Sequence, residues 1–235
     1  VNRFVRVIVK PEIYQCFDAV ILVSSSMRDY YEDLLGKDRI YVVPLGTDTD
    51  YWCPSEGEPN DRSRQGKHVL FVGAHLRDFE TLRGVIKKAN EIQNNIQFHV
   101  VVSKMDSHAL IGLPNVSIFT GISDERLREL YRTCHVMICP LLECTASNTL
   151  LEAMACGLPM VVTDVGGVRD YVNSECAVLS KPQDVEGMTQ SLVSLIQDPV
   201  RLEKMRLAAR ERGMQFDWRE IVTKMIPIYR KLLSG

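Results

Sequence analysis

Short apolar runs alternate with amphipathic stretches along most of the chain. The apolar runs have the length and the Val and Ile content of strands that are buried on both faces. They predict strands at residues 19–23, 40–43, 69–72, 97–102, 116–119, 136–140, 158–163 and 176–179. Apolar residues at helical spacing predict helices at residues 5–14, 27–35, 79–90, 124–133, 149–156 and 184–197, another that begins at Asp198 and Pro199, and a last one with a kink at Pro227.

This strict alternation of strand and helix predicts an α/β fold: a Rossmann-like parallel sheet with helices on both faces. The sheet is expected within residues 68–213, and residues 214–235 form a terminal helix. Residues 1–54 hold two strands and two helices, too few to bury a core of their own, which predicts a truncated N-terminal α/β segment. Residues 55–67 are polar and contain Gly57, Pro59 and Gly66, as expected of a linker.

The stretch from Glu143 to Val172 concentrates the candidate chemistry. Small polar residues precede its helix, and Ser147 or Asn148 is expected to cap the helix with a side-chain oxygen. The loops of this stretch should lie at the carboxyl edge of the sheet, where a helix N-terminus can hold a phosphate. Glu152, within the first turns, either accepts two ribose hydroxyls or merely complements the helix dipole.

The run EAMACGLP, from Glu152 to Pro159, resembles the donor-site motif of retaining GT-B glycosyltransferases of the group 1 type, also called family 4. The resemblance implies that Glu152 binds the ribose of a nucleotide sugar. The family's first Glu contacts the donor sugar, and the family spacing places it on Cys144, whereas Glu143 stands one residue earlier. Glu143 and Glu152 are therefore the candidate catalytic residues, and the first-Glu role stays open between Glu143 and Cys144.

The same resemblance implies further donor contacts. The family has an Arg directly after the Gly that ends the first donor-domain strand, and a Lys a few residues later. Here Gly73 is followed by Ala74, which leaves His75 and Arg77 as replacements, unless Arg77 is a solvated loop charge. The nucleotide base is expected at Phe119, Gly121 and Ile122, which could instead be plain strand-end packing. The predicted set is completed by Cys144, Thr145, Ala146, Ser147, Asn148, Thr149 and Leu150.

Composition narrows the class of protein. The chain has 46% hydrophobic and 25% charged residues and a net charge of −2, so no nucleic-acid partner is expected. Seven scattered cysteines without a CxxC pair indicate reduced thiols, a cytoplasmic location and no metal site. No apolar run approaches the ~20 residues of a membrane span, and no signal peptide is visible. The first residue is Val1, which suggests a fragment or a trimmed product.

The resemblance implies a hexosyltransferase-type enzyme without a cofactor. It would transfer a sugar, with retention, from a UDP- or GDP-type donor to an acceptor hydroxyl of a glycan, lipid or small molecule. Residues 1–54 would then end an acceptor-side domain and include the hinge, 68–213 would bind the donor, and 214–235 would cross back. A missing N-terminal domain would leave this chain inactive and would supply any peripheral membrane contact.

Two other functions stay open. One is a non-catalytic nucleotide-sugar-binding pseudo-enzyme or scaffold, which the missing Arg and Lys and the displaced first Glu favour. The other is an NAD-dependent oxidoreductase on a Rossmann sheet, which the lack of a G-x-G-x-x-G run after a strand disfavours.

Overall fold

The structure, a computed structural model, describes residues 11–55 and 66–234. The predicted helix at residues 5–14 is described only at Pro11–Tyr14, which forms helix α1. The rest of it lies outside the described residues. Most of the predicted linker at 55–67 also lies outside them. No helix in the two described ranges combines the length and the apolar character needed to cross a bilayer. The seven cysteines lie in the described ranges, and no disulfide joins any two of them.

The N-terminal segment forms a small parallel α/β unit. Strands β1 (Val20–Leu22) and β2 (Ile40–Val42) pair in parallel, with helix α2 (Arg28–Leu35) between them. A short 3-10 turn, Ser25–Met27, precedes this helix, and the Ser24 hydroxyl caps the turn by accepting a hydrogen bond from the backbone of Ser26. Leu22, Tyr31, Leu35 and Ile40 make its small core.

The second sheet has six strands, all parallel, in the order β5-β4-β3-β6-β7-β8. Their bounds are β3 Lys67–Val72, β4 Ile96–Val101, β5 Val116–Phe119, β6 Val136–Cys139, β7 Met160–Thr163 and β8 Ala177–Ser180. The chain order reverses direction at β3, between β4 and β6. The predicted Rossmann-like sheet is confirmed.

Helices cover both faces of this sheet, which is why strands β6 and β7 are buried on both sides. The helices are α3 Phe79–Ile92, α4 Asp124–Thr133, α5 Asn148–Ala155, α6 Val168–Tyr171, α7 Val185–Gln197, α8 Pro199–Met214 and α9 Trp218–Leu233. One core holds Leu70, Met137 and Val162 with residues of α4 and α5. The other holds Phe71, Ile138 and residues of α3 and α7. Each fully buried side chain of this size contributes about 1.5–3 kcal/mol.

Residues 44–55, here called the crossing segment, connect the small unit to the large sheet. Thr47 in this segment forms a backbone bridge with Asp217 at the start of α9. The guanidinium of Arg210 in α8 donates to the carbonyls of Thr49, Trp52 and Ala155. The terminal helix therefore returns to the N-terminal segment. Helix α9 runs through Pro227 as one element, and the kink there stays a prediction.

Candidate functional site

A cleft of about 410 Å³ opens at the carboxyl edge of the sheet, where β3 and β6 end. Two loops line it: residues 73–77 after β3, and residues 143–149 between β6 and α5. Ten residues of the predicted site meet here: Gly73, His75, Arg77, Glu143, Cys144, Thr145, Ala146, Ser147, Asn148 and Thr149. The two loops are far apart in sequence, and the parallel sheet brings them together.

Arg77 is anchored inside the cleft by both loops. Its Nε donates to the carbonyl of Val72 at 3.1 Å, and its Nη2 donates to Oγ1 of Thr149 at 2.9 Å. A longer contact of 3.5 Å joins Nη2 to the hydroxyl of Ser147. The guanidinium therefore lies beside the first turn of α5, and a guanidinium at such a place can bind an anion.

Gly73 makes this placement of Arg77 possible. Its φ of +101° is left-handed, and a Cβ atom at Gly73 would lie 3.0 Å from Nη2 of Arg77. The side chain of Arg77 thus folds back over the glycine and returns to the end of β3.

The three residues after Arg77 have other tasks. Asp78 is buried and caps α3, accepting hydrogen bonds from the backbone and hydroxyl of Thr81. Phe79 packs against Phe71, with 5.8 Å between ring centroids, and Glu80 is exposed. Among the residues that line the cleft, Arg77 is the one with a permanent positive charge, and His75 is exposed at its mouth.

The expected side-chain cap of α5 is wrong. Ser147 occupies the cap position, but its hydroxyl makes no capping hydrogen bond to the helix backbone. It contacts the Thr149 hydroxyl at 2.8 Å and lies 3.5 Å from Arg77 instead. Because the hydroxyl is drawn toward Arg77, the first backbone N–H groups of α5 keep their capacity to bind an anion.

Gly166 and Gly167, in the loop after β7, contact the cleft loop at residues 143–149. The backbone N–H of Gly167 donates to the carbonyl of Cys144 at 2.7 Å. A Cβ atom on Gly166, whose φ is +54°, would lie 2.0 Å from the same carbonyl, and one on Gly167 would lie 2.3 Å from the carbonyl of Thr145. The loop after β7 can therefore pack against the cleft loop because both positions lack a side chain.

Glu143 and Cys144 differ in their surroundings. Cys144 is 4% exposed, and burial raises the pKa of its thiol to about 11, so this side chain is a neutral thiol at neutral pH. Glu143 is half-buried and brings a carboxylate to the cleft. Of the two candidates for the first-Glu role, Glu143 is therefore the one that brings a carboxylate to the cleft lining.

Glu152 lies one turn beyond the lining residues, and its carboxylate faces α4. The hydroxyl of Tyr131 donates to Oε2 of Glu152 at 2.9 Å. Burial raises the pKa of Glu152, and the hydrogen bond from Tyr131 opposes that rise. Leu150 is fully buried in the core below.

The predicted base residues are not among the residues that line the cleft. Phe119 ends β5, and its half-buried ring lies 5.8 Å from the guanidinium carbon of Arg126. Gly121 is exposed with a φ of +64°, and Ile122 packs partly against the core. All three stand at the carboxyl edge, on the β5 side of β3.

Three residues of this region were not predicted. Ala74 and Leu76 also line the cleft, and Leu76 has a left-handed φ of +55°. The Leu76 carbonyl accepts a hydrogen bond from the backbone of Leu142, which joins the two loops. Tyr131, the partner of Glu152, follows no local motif and shows only as an apolar position of α4.

Within the described residues, no group of three or more His, Cys, Asp or Glu side chains is arranged to hold a metal ion.

The arrangement defines a GT-B-type glycosyltransferase domain, and solved structures share its fold. A sucrose-phosphate synthase from Thermosynechococcus elongatus superposes with a TM-score of 0.82 at 22% identity, over 98% of this chain and 62% of that one. The Anabaena protein HepE, solved in complex with UDP-glucose, gives a TM-score of 0.78 at 17% identity, over 95% and 66% of the two chains. The sequence model described as "Glycosyl transferases group 1" matches residues 66–198. The chain belongs to this family.

Curated relatives include an MMP alpha-(1->4)-mannosyltransferase of Mycolicibacterium hassiacum, 28% identical over 90% of this chain and 53% of the relative. An alpha-maltose-1-phosphate synthase of Mycolicibacterium smegmatis is also 28% identical, over 92% of this chain and 63% of the relative. The chain thus spans between about half and two thirds of the length of these relatives. The family membership confirms the predicted resemblance and does not favour the oxidoreductase or scaffold alternatives.

Proposed function

We propose that this chain carries the donor-binding half of a retaining glycosyltransferase, which transfers a sugar from a nucleoside-diphosphate sugar to an acceptor hydroxyl. The observation that carries the proposal is the position of Arg77. Its guanidinium lies 2.9 Å from the Thr149 hydroxyl, beside the uncapped N-terminus of α5, in a cleft at the carboxyl edge of a parallel sheet. A guanidinium and a helix N-terminus that converge on one cleft favour a diphosphate.

The chemistry follows from where charge develops. As the sugar leaves its donor, negative charge accumulates on the departing diphosphate. Arg77 and the α5 N-terminus are fixed in place before the reaction, so they stabilise this charge without reorganising. The acceptor hydroxyl attacks from the face that the diphosphate leaves, which retains the configuration. The charge stabilisation comes from the chain's own groups, and we propose no resident cofactor.

Glu152 is assigned to the ribose hydroxyls and Glu143 to the donor sugar. Both carboxylates are half-buried, so their hydrogen bonds to hydroxyls are stronger than in open water. The three candidate base residues lie at the end of β5, two strands from β3 along the same edge. UDP is the expected nucleotide, because HepE binds UDP-glucose on the same fold, and GDP is the second choice.

The other half of the reaction needs groups that an N-terminal domain would supply, and this chain spans only 53% and 63% of two curated relatives. These groups would position the acceptor glycan, lipid or small molecule and make any peripheral membrane contact. We expect this chain alone to bind nucleotide without transferring sugar. Seven scattered cysteines without a CxxC pair favour a reducing compartment such as the cytoplasm.

Calorimetric titration of the chain with UDP, GDP, ADP and NAD tests the proposal. Selective binding of one nucleoside diphosphate is the expected result, with UDP the tightest. Preference for NAD would overturn the proposal in favour of the oxidoreductase. Binding of none of the four would overturn the view that this half alone forms the donor site.

Glu152→Gln tests the ribose assignment separately. The variant should weaken binding of the preferred nucleoside diphosphate by about 1.5–3 kcal/mol, the usual worth of a hydrogen bond to a charged group. The matched control is Glu80→Gln, since Glu80 is an exposed carboxylate in the first turn of α3. Unchanged affinity in Glu152→Gln would remove this residue from the ribose site.

A further inference from the structure

Tyr131 is buried, and its hydroxyl lies within hydrogen-bond distance of Glu152. Its side chain is 0% exposed, and its hydroxyl donates to Oε2 of Glu152 at 2.9 Å. Tyr131 is in α4 and Glu152 is in α5, so the bond joins two helices on one face of the sheet. A carboxylate with one oxygen held in this way has lost much of its rotational freedom.

The ring of Tyr131 is itself held by the crossing segment. It meets the ring of Trp52 edge-on, with 5.7 Å between centroids and an interplanar angle of 87°. The Trp52 backbone is fixed in turn, because its N–H donates to Asp48 at 2.9 Å and its carbonyl accepts from Arg210 at 3.1 Å. A rigid path of contacts therefore runs from the crossing segment through Tyr131 to the carboxylate of Glu152.

We propose that Tyr131 is a positioning residue that sets the preference of this site for ribose over deoxyribose. Its hydroxyl occupies Oε2 of Glu152 and turns the other oxygen toward the vicinal hydroxyls of the nucleotide. A freely rotating carboxylate would pay an ordering cost on binding and would discriminate less. This inference rests on the proposed ribose role of Glu152.

Tyr131 could instead have a purely structural role. It would then stabilise the fold by filling the core and would not affect the preference for ribose. Two neighbouring tyrosines separate these roles. Tyr51 packs edge-on against the same Trp52, at 4.9 Å, but its buried hydroxyl has no hydrogen-bond partner among the described residues. Tyr131→Phe and Tyr51→Phe thus remove the same atom from one aromatic cluster, and only the first removal frees Glu152.

The experiment is calorimetric titration of wild type, Tyr131→Phe and Tyr51→Phe with UDP and with 2′-deoxy-UDP, and thermal melts confirm that each variant is folded. Wild type and Tyr51→Phe should prefer UDP by about 10-fold or more, since a hydroxyl on a carboxylate is worth that much. Tyr131→Phe should reduce this preference to about two-fold, mainly by weaker binding of UDP.

A double variant checks that Tyr131 acts through Glu152. If it does, adding Tyr131→Phe to Glu152→Gln should cause no further loss of UDP affinity, because the effects of coupled residues are not additive. Full ribose preference in Tyr131→Phe, or additive losses in the double variant, would overturn the positioning role while the ribose role of Glu152 stands. Equal binding of UDP and 2′-deoxy-UDP by wild type would instead overturn the ribose assignment itself.

Discussion

The hydroxyl of Ser24 donates to Oδ2 of Asp170 at 2.7 Å, although 146 positions separate the two residues. Ser25 adds two hydrogen bonds to the same carboxylate, from its backbone N–H at 2.7 Å and its hydroxyl at 2.6 Å. Ser24 is fully buried and lies against Gly167, next to the loop that backs the cleft. Asp170 therefore holds the connection after β1 against the large sheet, close to the proposed donor site.

Replacing Asp170 should destabilise this junction. Asp170→Ala leaves the buried Ser24 hydroxyl without its carboxylate partner, and we expect a loss of about 1.5–3 kcal/mol in the free energy of unfolding, measured by urea denaturation. The control is Asp164→Ala, which removes a carboxylate from an exposed ion pair with Arg169 and should cost less than about 1 kcal/mol. Equal losses in the two variants would show that Asp170 makes only a surface contact.

Arg77 should matter for the diphosphate and not for the nucleoside. Arg77→Gln is expected to weaken UDP binding by about 10- to 100-fold, because it removes a charged hydrogen-bond donor, and to leave uridine binding unchanged. Titration calorimetry with the two ligands measures the difference. Arg77→Lys should recover only part of the affinity, since an ammonium cannot contact Val72 and Thr149 while it also binds a phosphate.

Arg169→Gln is the control for this experiment. Arg169 is exposed, pairs with Asp164 and is absent from the cleft lining, so its loss should not change UDP affinity. Unchanged UDP binding by Arg77→Gln would mean that Arg77 is a solvated loop charge, the alternative that the sequence leaves open.

Much of the fold follows from local features of the sequence. Apolar runs of strand length, helical spacing and the glycines after β3 and β7 predict the six parallel strands and their order of appearance. They also place residues 73–77 and 143–149 at the same edge, because the carboxyl ends of parallel strands share an edge. The cleft could therefore be predicted without knowing any contact between distant residues.

Contacts between distant residues could not be predicted in this way. Ser147 has the sequence pattern of a helix cap, but Arg77, 70 positions earlier, competes for its hydroxyl. Tyr131 and Asp170 fit ordinary helix positions, and their partners, Glu152 and Ser24, are set by packing between elements. Local propensity thus describes the elements, whereas polar contacts across elements depend on the register of the finished sheet.

A side chain at Gly166 should be unfavourable for two reasons, a steric clash and a left-handed φ. Gly112 is the control that has only the second. Gly166→Ala meets the Cys144 carbonyl and forces a left-handed φ, whereas Gly112→Ala forces only the φ, of +78°, in open space. We expect a loss of about 1 kcal/mol for Gly112→Ala and of at least about 2 kcal/mol for Gly166→Ala in urea denaturation. Gly166→Ala should also weaken UDP binding, because the Cys144 loop must shift. Equal losses would show that the loop yields freely.

Three histidines lie side by side at the opposite end of the sheet. Nδ1 of His68 lies 2.8 Å from Nε2 of His99, and Nδ1 of His135 accepts a hydrogen bond of 3.0 Å from the backbone of His68. Burial, the largest cause, lowers the pKa of His99 and of His135 to about 4. Neighbouring positive charge, from His68 on His99 and from Lys67 on His135, acts in the same direction.

These shifts predict a loss of stability in weak acid. A histidine in the unfolded chain takes up a proton below its pKa of about 6.5. His99 and His135 in the folded chain stay neutral until about pH 4. The unfolding free energy should therefore fall as the pH drops from about 6.5 to about 4.

His135→Asn keeps an acceptor for the His68 N–H and removes one titrating group. Compared by urea denaturation at about pH 7 and about pH 5, it should lose about 2 kcal/mol less than wild type. His108→Asn, at an exposed histidine, should lose as much as wild type. The same loss in His135→Asn as in wild type would contradict the assignment.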